Sequence, residues 1–516
     1  VRKTASLAAW LAGLTVVLVV VLFRLEGRLD FSLYDEGFLW YGVQRVLAGE
    51  VPMRDFMAYD PGRYYFSAAL MRLWGDCGLM SLRATGAVVE ALGLFAGLWI
   101  VARSVRRAGA VFLVLAAVTL VAWMQCYWIM YNITIAILLV AALTWLAAHP
   151  SGARHLGAGV MVGLAAVIGR NHGVYGLAGS LCALAWVNAH RGVNRALVGR
   201  LALWGLGVVI GFAPTLVLCA VVPGFYAAYL DNLRQLLAMS GTNITLPIPW
   251  PWTVPFAHLS PDMAVRKLLV SLFFLATGLF GVLSLAWLAI QGLRRRPLPP
   301  VFVGAACLGL PYAHYAFSRA DIIHLAHGIF PMLLGCLGLL AGKRGASKWL
   351  ATLVLCGASV FVMMGEYRFV YSSPEKGWTE VTIGGDRIVV DAPTARDVAF
   401  LRGLAAKYLG PDKGLLTMPR WPGAYALLGQ RSPVWEIYAI HPRPRAFEEQ
   451  EIARLDPGRI GLVLLDNQAL DGRDDLRFQN THPLTYRFVR EHFDRLPEGT
   501  DPRFELYVPK KPGENG

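Results

Sequence analysis

The sequence predicts a polytopic α-helical membrane protein with a soluble α/β domain at its C-terminal end. Two observations predict it. Of 516 residues, 56% are hydrophobic and 16% charged, and the apolar residues arrive in blocks of about 16–25, the length a helix needs to cross roughly 30 Å of hydrocarbon. After Met364 the composition turns polar, and no later run is long enough to span.

Hydrophobic runs near 5–23, 80–102, 109–126, 131–148, 156–169, 173–189, 201–221, 268–291, 299–315, 322–341 and 349–364 predict about eleven transmembrane helices. The short pair 156–169 and 173–189 leaves that count open by one or two. Helices must supply the spans, because lipid offers no partner to an exposed backbone N–H or C=O. The first run follows Arg2 and Lys3 as a signal core would, but no small-residue cleavage site comes after it, and FRLEGRLDF reads as the flank of an anchor.

Charge predicts orientation. With a cytoplasmic N-terminus, the loops on that side hold Arg103, Arg106, Arg107, Arg154, Arg191, Arg195, Arg200, Arg294, Arg295, Arg296, Lys343, Arg344 and Lys348. The opposing loops after the first hold Arg170, Arg234, Arg266, Lys267 and Arg319. The excess of basic residues puts residues 24–79 and the tail outside. The first loop runs against the rule with Arg24, Arg28, Arg45, Arg54, Arg63 and Arg72.

The expected domains are residues 1–364, membrane-embedded, and 365–516, soluble and extracytoplasmic. Residues 24–79, the first outer loop, are more than a linker. Phe38, Leu39, Trp40, Tyr41, Val46 and Leu47 form a helical stripe that ends at Gly49, as in a helix lying in the interface. PMRDFMAYDPG is turn-rich, and RYYFSAALMRLWG is a second amphipathic candidate closed by Gly75. In the loop 222–263, FYAAYLDNLRQLLAM is amphipathic and ITLPIPWPWTVPF carries the Pro and Trp of a headgroup-level segment. The tail alternates predicted helices (394–408, 422–429, 445–455, 482–493) with β-rich runs (415–418, 434–440, 459–466, 503–509), the pattern of a small α/β layer fold. It shows no catalytic motif of its own.

The net charge of +14 fits cytoplasmic loops that face anionic headgroups. It does not suit nucleic acid, because the basic residues are spread over short loops rather than gathered on one soluble face. The seven cysteines, at 77, 126, 182, 219, 307, 336 and 356, fall in or beside apolar segments and read as small hydrophobes.

The chemistry-bearing residues gather at one boundary of the spans. Asp35 and Glu36 sit among aromatics in FSLYDEGFLWYG; an N-cap role for Asp35 is one reading of them and a functional role the other. Arg170 and His172 stand in GRNHG, and Arg319, Asp321 and His324 in YAFSRADIIHLAHG. Arg170 suits either an anion contact or a snorkelling position, and His172 either a substrate contact or a packing role. The Arg319 cluster suits either a ligand or an Arg319–Asp321 pair that fixes the loop. A divalent metal is a possible cofactor, with Asp35, Glu36, Asp60 and the Asp321/His324 pair as ligands, although no spacing demands one. Arg83 and Glu90 share a helical face and read as structural, pairing with each other or with neighbouring helices. Asn132-Ile-Thr and Asn243-Ile-Thr match glycosylation acceptors.

An Asp-Glu just after the first span, LAGEVPMRDF, Tyr-Asp-Pro-Gly, RYYFSAALMRLWG and LMSLRATGA together resemble the first outer loop of the GT-C membrane glycosyltransferases. The branch resembled contains the protein O-mannosyltransferases and the lipid A aminoarabinose transferases. AGVMVGLAAVIGRNHGVYGL is similar to that branch's fifth-span region, and WPGAYALLGQRSPVW to its soluble tail. The resemblance implies a GT-C fold in the bacterial cytoplasmic membrane and transfer of a sugar from a polyprenyl-phosphate donor to a lipid, glycan or protein acceptor at the outer face. It implies Asp35 as the base that activates the acceptor, with Glu36 as the second carboxylate. Arg170, Arg319 and Arg63 are then expected around the donor phosphate, and Tyr59, Asp60, His172, Asp321 and His324 around the substrates. Rival readings are a transporter or flippase of lipid-linked saccharides and a structural partner in an envelope assembly. Transporters often carry repeats and mid-membrane charges, whereas no repeat is visible here.

Overall fold

The computed structural model describes residues 2–104, 109–125, 130–189, 194–239, 243–497 and 501–510. Arg106, Arg107 and Arg191 of the orientation count, and Cys126, lie outside them. The chain divides into two compact units: Val1–Gly27 with Arg83–Val370, and Arg28–Leu82 with Tyr371–Gly516.

In the first unit every predicted apolar run is helical: Arg2–Glu26, Leu79–Arg103 (which begins in the second unit), Ala110–Ala122, Met130–Ala148, Gly152–Ile168, Arg170–Asn188, Arg195–Val221, Pro261–Leu293, Pro300–Ser318, the pair Ile322–Gly328 and Phe330–Gly342, and Ala346–Met364. Among the described residues, seven helices are long and apolar enough to cross a membrane, or eight if the bent pair counts as one span. Length and polarity account for the gap from eleven. Ala110–Ala122 has 13 residues and Gly152–Ile168 has 17, about 20 and 26 Å of helix. Arg170–Asn188 has 19 residues but opens on Arg170, Asn171 and His172. The bent pair turns by 53° next to Pro331, which has no N–H to donate to the carbonyl four residues back. The chain is a multi-pass membrane protein.

Close backbone contact holds Gly152–Ile168 against Arg195–Val221. A Cβ on Gly159 would lie 2.1 Å from the Trp204 carbonyl oxygen, and one on Gly211 would lie 2.1 Å from that of Val160. In lipid, where no hydrophobic gain drives helices together, this intimacy supplies the dispersion contact instead. Arg83 is buried and donates to the Gly27 carbonyl at 2.9 Å. It thereby ties down the end of the first helix.

The second unit joins the first loop to the tail. In the loop, Asp35–Leu47 and Pro61–Trp74 are helical, the latter closed by Gly75 at φ 71°. The tail holds a hairpin of β1 (Thr379–Ile383) and β2 (Asp386–Val390), and a four-stranded sheet of β3 (Gly414–Met418), β4 (Ile460–Asp466), β5 (Phe493–Arg495) and β6 (Phe504–Pro509) in the order β3-β4-β6-β5. β3 and β4 run parallel, and β6 is antiparallel to both β4 and β5. Helices Ala392–Tyr408, Pro422–Leu428, Arg445–Ile452 and Pro483–His492 match those expected.

The strand expectations need correcting in two respects, one run that forms no strand and strands that no run announced. Residues 434–440, read as a strand, are irregular, because the Glu451 carboxylate accepts from the backbone N–H of Trp435 and Glu436 at 2.7 and 2.9 Å in place of a neighbouring strand. Neither the β1–β2 hairpin nor β5 was expected.

Backbone bonds stitch loop to tail. Asp30 N–H donates to the Val389 carbonyl and Val389 N–H to that of Arg28, each at 2.8 Å, and Met57 N–H donates to the Trp435 carbonyl at 2.8 Å. Trp435 Nε1 donates to the Met53 carbonyl, and Ser432 N–H to Tyr41 Oη, both at 3.0 Å.

Candidate functional site

The two adjacent carboxylates part company at the start of Asp35–Leu47. Asp35 is exposed, whereas Glu36 is 1% exposed. Asp35 is the first helical residue and not the cap; Tyr34 holds the N-cap position without a side-chain bond. Glu36 turns inward, its Oε2 3.5 Å from the Ser32 N–H. Negative charge in a first helical turn is favoured by the unpaired N–H groups there, so the backbone supports both carboxylates while only Asp35 faces outward.

The tail fixes this helix start. Gly423, in Pro422–Leu428, donates its N–H to the Leu33 carbonyl at 2.9 Å. Just before it, Trp421 takes φ 74°, a conformation uncommon for a side chain of that size, with its ring 4.5 Å from that of Phe504. Arg420 pairs with Asp466 at the carboxyl end of β4 and places its guanidinium 5.7 Å from the Tyr34 ring centroid. Tyr438, from the irregular segment, packs its ring 5.8 Å from Phe38. Burial pushes the Tyr438 phenol well above its ordinary pKa, and the nearby charge of Asp35 adds to that.

The start of Pro61–Trp74 joins the same cluster. Tyr59 sets its ring edge-on to Phe38, centroids 4.9 Å apart, and Arg63 lies 4.8 Å over the Tyr59 ring. Tyr59 is 43% exposed, whereas Asp60 and Arg63 are each 6% exposed. Asp35, Glu36, Tyr59, Asp60 and Arg63 are thus gathered in one place with Tyr34, Phe38, Arg420, Tyr438 and Asp466, which the sequence reading did not pick. The one signal available was the tail phrase beginning at Trp421, one residue after Arg420.

The first unit holds the other predicted residues. Asp321 caps Ile322–Gly328 by accepting from the His324 N–H at 2.8 Å. It also meets His324 Nδ1 at 2.8 Å and accepts from Arg319 Nε at 3.0 Å, while Arg319 Nη1 donates to the Ile244 carbonyl. Burial raises the Asp321 carboxyl, but His324 and then Arg319 outweigh it and leave the group below its ordinary range. His172 is 1% exposed, with Nδ1 2.8 Å from Tyr312 Oη and Nε2 3.2 Å from Asn132 Oδ1. Asn132 in turn donates to Tyr315 Oη at 3.2 Å, so the Asn132 sequon lies inside a buried helix network. Tyr315 stacks on His324 at 6.0 Å, so the His172 and Asp321 groups belong to one chain of polar rings. Arg170 opens the helix that carries His172. Among the described residues no three His, Cys, Asp or Glu come together in a group that could hold a metal.

No family model matches the sequence, and no curated protein matches it. The structure is similar to the crystal structure of ArnT from Cupriavidus metallidurans bound to undecaprenyl phosphate, with a TM-score of 0.55 at 13% identity over 98% of both chains. Apo ArnT from the same organism gives 0.46 at 14% identity over 98% of both chains. The Archaeoglobus fulgidus oligosaccharyltransferase, tethered with an acceptor peptide containing the NVT sequon, gives 0.46 at 9% identity over 97% of this chain and 74% of that one. The first likeness runs the whole length of both chains and shows that this chain has the GT-C fold.

Proposed function

We propose that this protein is a glycosyltransferase that moves a sugar from a polyprenyl-phosphate donor to an acceptor at the outer face of the bacterial cytoplasmic membrane. The observation that supports the reading is the split within the carboxylate pair: Asp35 is exposed, as a base that meets the acceptor would have to be, while Glu36 is buried at the same helix start. An acceptor hydroxyl or amine is a weak nucleophile until a carboxylate takes its proton. As the O–H or N–H bond transfers its proton to Asp35, the acceptor attacks the anomeric carbon and the polyprenyl phosphate leaves with the electron pair. The binding of undecaprenyl phosphate by ArnT, which shares the fold, supports the donor class.

The leaving phosphate needs fixed cations. Arg170 and Arg319, partly exposed in the helical unit, keep that assignment on residue type and resemblance. Arg63 is weaker for it, because it is buried and spread over the Tyr59 ring. His172, bonded at both ring nitrogens, suits the support of Tyr312 and Asn132 better than a ligand contact.

The test is turnover by the purified chain with a panel of polyprenyl-phosphate sugars, followed by mass spectrometry of lipids, glycans and proteins. Asp35→Asn should cut product formation by about 10²–10⁴ while leaving donor affinity within a factor of two. A carrier that binds without reacting would yield no product from the unmodified chain, and would move lipid-linked sugar across vesicles equally well with either residue.

A further inference from the structure

Tyr59 and Tyr438 come from opposite ends of the second unit's sequence and rest on the same buried ring. Phe38 is 2% exposed, with Tyr59 edge-on to it at 4.9 Å and Tyr438 tilted against it at 5.8 Å. Tyr34 stands beside them under the Arg420 guanidinium. Each tyrosine has few torsions to freeze and is held by a fixed neighbour, so a ligand meeting these rings costs little conformational entropy. Tyr59 is exposed, Tyr34 and Tyr438 are partly buried, and Asp35 beside them is exposed.

The charges of the cluster decide what such a surface takes. Asp35, Glu36, Asp60 and Asp466 are four carboxylates, against Arg63 and Arg420. Arg420 is already paired with Asp466, and Arg503, which also acts on Asp466, is paired with Asp397 and Asp501. A phosphate arriving here would meet an excess of negative charge. An uncharged polyhydroxylated ring would not: its C–H face packs on aromatic rings, and its hydroxyls donate to a carboxylate and accept from phenols and guanidiniums.

We infer that the rings of Tyr34, Tyr59 and Tyr438, set around Phe38 beside Asp35, form a subsite for an uncharged sugar ring, built jointly by the first loop and the tail. This rests on the glycosyl-transfer reading and assigns to the tail a direct part in binding. The sugar comes either from the donor or from a saccharide acceptor, and the two sources share the same ring chemistry.

The experiment is saturation-transfer NMR on the intact chain in detergent, using methyl glycosides of the common hexoses and pentoses and, separately, undecaprenyl phosphate without a sugar. At least one glycoside should receive saturation, and Tyr438→Ala should weaken its binding tenfold or more while leaving undecaprenyl phosphate binding unchanged. Tyr438→Phe keeps the ring and guards against a folding defect; it should weaken the glycoside about threefold. Competition with a polyprenyl-phosphate sugar assigns the source, since displacement marks the donor sugar and simultaneous binding marks an acceptor saccharide, and either result upholds the subsite. The inference is overturned if neither Tyr438 variant changes glycoside binding, or if undecaprenyl phosphate is lost in parallel. Glycoside binding without product from any donor would instead sink the transferase reading and leave the subsite standing.

Discussion

Gly37 and Gly423 meet backbone to backbone, so that a Cβ added to Gly37 would sit 2.4 Å from the Gly423 Cα. Neither partner in that contact can yield by rotating a side chain. Gly37 follows the carboxylate pair and Gly423 lies in the first turn of a tail helix, so the contact presses the tail against the start of Asp35–Leu47. Gly37→Ala should therefore destabilise the second unit by about 1–3 kcal/mol, as overpacking of a tight contact does. Thermal unfolding of the purified protein followed by tail tryptophan fluorescence checks this, and Gly49→Ala serves as a control in open space, although its φ of 91° adds backbone strain of its own. If Gly37→Ala melted later than Gly49→Ala, the glycine contact would not be what seats the helix.

The unequal exposure of Asp35 and Glu36 predicts unequal consequences. Asp35→Asn removes a proton acceptor and should lower turnover by about 10²–10⁴, the usual span for a general base, with little change in melting temperature. Glu36→Gln keeps an acceptor for the Ser32 N–H and should cost less than tenfold in turnover. Glu36→Ala, which empties the space of a side chain that is 1% exposed, should lower stability first. Steady-state kinetics and melting on the same preparations separate the two carboxylates; equal losses of turnover from Asp35→Asn and Glu36→Gln would mean that they act as a pair.

Much of the helical unit was legible because membrane spans are written in composition over windows of about 20 residues. The two loop helices were legible from stripes that end at glycine, as Gly75 at φ 71° bears out. The β1–β2 hairpin carries a readable signal within the polar stretch after Met364: two alternating runs joined by Gly384 and Gly385, both at positive φ, the pairing of a two-residue hairpin turn. The run at 434–440 misled for the opposite reason, since its β-rich residues are held by a carboxylate and not by a ladder. The gathering of Arg420 and Tyr438 around Asp35 left no signal beyond the neighbouring tail phrase at Trp421. Contacts between residues nearly 400 positions apart leave no local period in a sequence, and Arg420 and Tyr438 sit in no motif.

Acidity should loosen the tail through His441. Burial, and then the neighbouring Arg443 guanidinium, hold its imidazole below the ordinary 6.5, against the opposing pull of Glu436. His482 also faces it and bonds Glu436 through Nε2 at 3.0 Å. A folded-state pKa below the unfolded one means that the unfolded chain binds the proton more readily. The contribution is therefore whole above about pH 6.5 and is lost as the pH falls through the folded value. Glu451, raised by burial, titrates with the opposite sign, so the His441 part is read as a difference: between pH 8 and 5 the unmodified protein should lose more stability than His441→Gln. Identical pH profiles would mean that His441 is not held neutral by the fold.

Asp321 does two jobs at once, and two substitutions take them apart. It caps a seven-residue helix through the His324 N–H and pairs with Arg319, both side chains being about a quarter exposed. A half-screened ion pair contributes about 0–1 kcal/mol, whereas loss of an N-cap costs about 0.5–2 kcal/mol. Asp321→Asn keeps an oxygen for the His324 N–H and gives up only the charge, so it should cost little. Asp321→Ala gives up both, and should lower the melting temperature of the detergent-solubilised chain clearly below that of the Asn variant. Donor turnover adds the decisive contrast. If Arg319 serves the phosphate, freeing it from Asp321 in the Asn variant should change the donor KM while the melting temperature holds, whereas a purely structural cluster would move the melting temperature and leave KM where it was.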